Sequence, residues 1–89
     1  MRTIPWGVSE QTAENGQPLT CHCHILVRDV PTPLNGESYG IRLTLEETGE
    51  MMEFMDLTVS GKRILDLADA LVRCGVTPCG LRDVVSDWL

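Results

Sequence analysis

Hydrophobic positions in this chain recur with a period of two as far as Val59 and at helical spacing beyond it. The cleanest alternation runs from Glu37 to Glu46. There Tyr39, Ile41, Leu43 and Leu45 alternate with Ser38, Gly40, Arg42 and Thr44, the signature of a strand with one dry and one wet face. Leu19 to Val30 reads as a second strand, with Cys21, Cys23, Ile25 and Val27 on one side and His22, His24, Leu26 and Arg28 on the other. Met51 to Val59 reads as a third, setting Met51, Met55, Leu57 and Val59 against Met52, Phe54, Asp56 and Thr58. Near the start, Ile4, Trp6 and Val8 share one side of an extended segment, and Pro5 confines that segment to a sheet edge because it has no N–H to donate. Turn signals separate these runs at Glu14-Asn15-Gly16-Gln17, across 31–36 and at Glu47-Thr48-Gly49-Glu50.

From Val59 the period changes. Ser60 is placed to cap a helix on which Ile64, Leu65, Leu67, Ala68, Leu71 and Val72 form the apolar side. Gly75 supplies the left-handed residue that ends such helices, and Thr77-Pro78 restarts one with proline at its first position. Leu81, Val84, Val85, Trp88 and Leu89 then complete a second apolar stripe. Strands joined by short turns pair with their neighbours, and an antiparallel sheet must bury its apolar face. The expected architecture is therefore α+β: an antiparallel meander of three to four strands over 1–59, with two short helices over 60–89 packed on one sheet face. Nothing in 1–89 marks a domain boundary. The dry face should carry Cys21, Cys23, Ile25 and Val27 beside Tyr39, Ile41, Leu43 and Leu45, leaving both histidines wet and titrating near ~6.5.

Charge narrows the partners. The net charge is −6, and residues 31–59 set Arg42 alone against six acids. That surplus argues against nucleic acid and anionic membranes, both of which need basic footprints. The second helix of the pair offers Arg82 against Asp83 and Asp87, so it is no DNA-recognition helix. No run approaches the ~20 apolar residues of a membrane span, and the N-terminus lacks a secretory pattern. A cytoplasmic protein with reduced thiols is the expectation.

Cys21-His22-Cys23-His24 has four metal-ligand types in a row, but strand geometry points the thiols and the imidazoles to opposite faces. A zinc site would need Cys21 and Cys23 joined by Cys74 and Cys79, and buried thiols are the ordinary alternative. Cys79, at a helix start, has the setting that activates a thiol, yet nothing in the sequence brings a histidine to it. Asp66 with Asp69, and Asp83 with Asp87, read as solvated carboxylates of polar helix faces.

Tyr39-Gly40-Ile41, Met55-Asp56-Leu57, and Val76-Thr77-Pro78 with the run from Leu81 to Leu89 together resemble a family of small uncharacterised proteins of clostridial-type Gram-positive bacteria, a domain of unknown function. That family tends to end in a Pro-x-x-Leu-x-Asp-Val-Val-x-Asp-aromatic-Leu helix. Gly80 departs from its pattern, where a bulkier polar residue usually stands. The resemblance implies the fold and a bacterial, cytosolic origin; it implies no activity and no cofactor.

The reading that follows is a non-enzymatic interaction or accessory module, possibly homodimeric, whose partner is itself or another protein. Met52, Phe54, Leu26 and Trp6 are the candidate contact residues, because they fall on faces the two helices need not cover. The alternative is a metal-binding or thiol-redox protein using Cys21 and Cys23 with Cys74 and Cys79. The last helix yields a test of the architecture. A helix of three turns persists by packing. Deleting Trp88 and Leu89 should therefore cost about 3–5 kcal/mol in urea unfolding; a melting point within a few degrees of the parent would make that helix a peripheral flap.

Overall fold

The computed structural model describes residues 2–31 and 36–88. Most of the loop expected over 31–36, and Leu89 of the second apolar stripe, lie outside them. Four strands and two helices follow in chain order: β1 (Arg2–Thr12), β2 (Pro18–Val30), β3 (Gly36–Leu45), β4 (Met51–Thr58), α1 (Gly61–Arg73) and α2 (Pro78–Trp88). The strands form one antiparallel sheet in the order β1-β2-β3-β4, which is the expected meander at its full count of four.

The centre of the sheet is regular. β2 and β3 pair without a shift from Cys21↔Leu45 to Val30↔Gly36. Directly opposed residues share a face, so Cys21, Cys23, Ile25 and Val27 join Ile41, Leu43 and Leu45 in the core, as the alternation predicts. Ile64, Leu67, Ala68 and Leu71 of α1 and Leu81 and Val85 of α2 close over them. α1 begins and ends, and α2 begins, where the sequence places the signals. Ser60 Oγ accepts from the Arg63 N–H (3.3 Å). Gly75, at φ +63°, ends α1 with Val76 N donating to the Leu71 carbonyl and Gly75 N to that of Val72, a Schellman closure. The Arg63 guanidinium lies 4.4 Å from the centre of the Trp88 ring and ties the start of α1 to the end of α2.

The outer strands are irregular, and this overturns two expectations. Between Ile41↔Phe54 and Tyr39↔Thr58, β4 carries two more residues than β3. Up to that bulge the ladder sets Met52 opposite Leu43 and Phe54 opposite Ile41. Met52 and Phe54 therefore point toward the helices and pack, half-buried, on the core. Strict alternation had put them outside; it fails because the strand is not regular. Leu26 also is no surface residue. It faces away from the helices, yet it is fully buried, flanked on β2 by His24 and Arg28 and opposite Gly40, against which the Phe54–Met55 backbone of the bulge packs. Long polar neighbours cover apolar atoms with their stems in this way.

Gly40 is required by the bulge. A Cβ there would stand 2.2 Å from the Phe54 carbonyl oxygen and 2.9 Å from Met55 Cα, both backbone atoms. Asp56, at the bulge, has φ +56°, and its carboxylate accepts from Arg28 and from the buried Ser38. Gly80, inside α2, meets only Val76 Cγ1 at 3.9 Å. Two alanine substitutions should therefore act with opposite sign in urea unfolding. Gly40→Ala should destabilise by about 2 kcal/mol or more, since backbone cannot move aside, whereas Gly80→Ala should stabilise by roughly 0.5–1 kcal/mol.

Candidate functional site

The Cys-His-Cys-His run is divided by the sheet. Cys21 and Cys23 lie in the core, each 2% exposed. The Cys21 thiol donates to the Val76 carbonyl at 3.6 Å. Burial pushes its pKa up, against a weaker opposing effect of a backbone hydrogen bond with Thr44. Burial pushes that of Cys23 to about 12, with the neighbouring Cys21 adding to it. Thiols held protonated are poor nucleophiles and poor ligands. Cys74 and Cys79 are exposed, and all four cysteines are unpaired. Thr77 Oγ1 lies 3.4 Å from Cys79 Sγ. Among the described residues, no three His, Cys, Asp or Glu side chains come together as a metal site would require. The four cysteines of the zinc reading are thus not gathered at one point.

The other face of the sheet carries the charges. His22 Nε2 stands 3.7 Å from Glu46 Oε2, Arg42 Nε donates to Glu53 at 2.8 Å, and Arg28 is committed to Asp56. His24 sits between these groups, opposite Arg42 on β3 and Pro5 on β1. Its Nδ1 is buried and has no hydrogen-bond partner among the described residues. Desolvation first, then repulsion from Arg42 and from His22, holds its pKa below the ordinary value. The expectation of an unperturbed His24 is corrected on that ground: a wet face is not a uniformly wet one.

At the β1 margin this face becomes apolar. β1 is an edge strand, and its ladder with β2 passes from Pro5↔His24 to Gly7↔Cys23, leaving Trp6 as an extra residue. The bulge changes the parity of the strand. Ile4, opposite Ile25, is on the helix side, whereas Val8, opposite His22, is on the outer side. Trp6 lines a shallow depression of about 190 Å³ with Pro5, Val8, His22 and His24. Ile4, Trp6 and Val8 are 44%, 40% and 50% exposed. Leu65 of α1, 42% exposed, lies two turns before Val72, whose methyl groups approach Gly7. Of the four contact residues expected from sequence, Trp6 alone is exposed. Ile4 and Val8 join it across two faces instead of one, which only a bulge could produce and which Pro5-Trp6-Gly7 merely permitted.

The geometry fixes how thiols and imidazoles behave in solution. With a bulky maleimide, native protein should lose Cys74 and Cys79 rapidly and keep Cys21 and Cys23 until it unfolds. A lowered His24 pKa means that the unfolded chain binds the proton more readily. Stability should be full above ~6.5 and fall as pH drops below it, with a shallower slope in His24→Gln, read by urea unfolding between pH 7.5 and 5.

Residues 3–89 match the family described as a family of unknown function, DUF6514, and the chain belongs to it. No curated protein and no solved structure matches.

Proposed function

We propose that this chain is a small, non-enzymatic interaction module that engages a protein partner, itself or another protein, through the β1 margin. The observation that carries this reading is the exposure of Ile4, Trp6 and Val8 on one edge strand. Apolar groups at a free edge, with unused backbone donors and acceptors beside them, are the elements of strand addition. The opposite edge is less suited: β4 bears Glu53 and Asp56 and is broken by its bulge. Three of the groups that could do chemistry are otherwise engaged, with Cys23 protonated in the core and Arg28 and Arg42 held by carboxylates.

The acidic balance favours a protein partner over nucleic acid or an anionic membrane. Among the described residues no helix is long and apolar enough to cross a membrane. The resemblance to proteins of clostridial-type bacteria adds a bacterial cytoplasm, where four thiols stay reduced.

A photo-activated benzophenone amino acid separates this margin from the rest of the surface. Placed at Val8 in the full chain, within cells that make it, the probe should give a protein adduct; at Asp87, exposed on α2, it should give none. Equal labelling at the two sites, or none at Val8, would overturn the reading.

A further inference from the structure

Resting on that reading, we infer that the partner at the β1 margin is a second copy of this chain, joined by antiparallel pairing of β1 with β1 about a two-fold axis. Three observations converge. First, the exposed apolar groups lie on both sides of one strand: Ile4 on the helix side, Trp6 and Val8 on the outer side. A partner stacked on either face would cover half of them. A strand added in the plane of the sheet covers both.

Second, the bulge makes β1 self-complementary. Paired residues of adjacent strands must share a face. On the helix side β1 presents Arg2, Ile4, Gly7 and Ser9; on the outer side it presents Thr3, Pro5, Trp6 and Val8. An axis between Pro5 and Trp6 matches every one of these: Arg2 with Ser9, Thr3 with Val8, Ile4 with Gly7, and Pro5 with Trp6 of the second copy. Each extra residue, Trp6, faces Pro5 of the other copy across the axis, so the change of parity in one strand cancels that in the other. Shifting the axis by half a residue sets helix-side residues against outer ones. In the matched register each Ile4 meets a glycine, over Val72 of the other copy, whose methyl group lies 3.2 Å from where a Gly7 Cβ would be.

Third, charge permits approach here. β1 carries Arg2 and Glu10 and is neutral, and the matched register opposes no like charges. The β4 edge, by contrast, is broken by its bulge, and its Glu53 and Asp56 are already taken up by Arg42 and Arg28. A closed two-fold contact also limits growth to a dimer, and a chain of this size gains from added buried surface.

Sedimentation equilibrium and hydrogen exchange on the full chain test this. The protein should be a dimer at up to about 200 µM, with β1 amides exchanging more slowly as concentration rises. Ile4→Lys should weaken association by at least about tenfold, whereas Val59→Lys, at the other margin, should leave it unchanged. In a background of Cys74→Ser and Cys79→Ser, the Thr3→Cys/Val8→Cys chain should oxidise to a covalent dimer, and Thr3→Cys/Ser9→Cys should not. A parent chain that stays monomeric, with β1 exchange independent of concentration, would overturn the inference. So would a Val8 benzophenone adduct containing only a different protein, which would leave the interaction reading standing. No adduct at Val8 removes both.

Discussion

The uninterrupted β2–β3 ladder is the constraint on which the rest of this molecule depends. Ten opposed pairs run without a shift from Cys21↔Leu45 to Val30↔Gly36, and the period of a strand leaves two ways to orient them. One buries Cys21, Cys23, Ile25 and Val27; the other would bury both histidines with Arg28 and strand the aliphatic residues in water. Desolvating imidazole and guanidinium without partners is far costlier than burying thiols. The core, the protonated state of Cys23 and the position of the charged face all follow from that one choice. The helices follow as well, since α1 and α2 lie on the side where the ladder presents Ile41 and Leu43.

Irregularity is confined to the two flanking strands, where it has opposite effects. In β4 the bulge brings backbone against Gly40 and turns Asp56 toward Arg28 and Ser38. Met52 and Phe54 are thereby kept in the core, and the edge is left acidic and bent. In β1 the bulge at Pro5-Trp6 sends apolar side chains to both faces and leaves them half in water. Edge strands are commonly protected by charge, bulges or proline. β4 has charge and a bulge at its exposed margin. β1 has a proline and a bulge near its middle but three large apolar residues around them, which is incomplete protection. The asymmetry between the two edges is what distinguishes one as an interaction surface.

What was legible in the sequence was what periodicity and local chemistry encode. The alternation of Tyr39, Ile41, Leu43 and Leu45 identified the dry face, and Ser60, Gly75 and Pro78 located the helix ends. Contact residues were read less well. For Met52 and Phe54, alternation assumes an unbroken strand, and a bulge is a tertiary event without a periodic signal; Leu26 does lie on the outer face, as alternation places it, but is covered there. Gly40 was the available clue, since a glycine inside an otherwise regular strand often marks close backbone approach. Trp6 is legible as a contact residue and shares a side with Val8, but the bulge puts Ile4 on the opposite side.

The divided Cys-His-Cys-His run shows how far residue type alone can mislead. Four potential ligands in sequence invite a metal, yet a pleated strand must separate them by face. Once the ladder sends the thiols inward, their environment raises the pKa of both and removes the thiolate on which nucleophilic or ligand chemistry depends. The imidazoles remain outside but are not equivalent. His22 is close to the Glu46 carboxylate, whereas His24 is caught against Arg42 with a buried, unpartnered Nδ1. That orphaned nitrogen lies beside the depression lined by Trp6 and Val8. Its lowered pKa favours the neutral ring, in which only a dipole, and not a charge, is left unsatisfied. The same neutrality adds no positive charge of its own to the depression where Trp6 and Val8 lie.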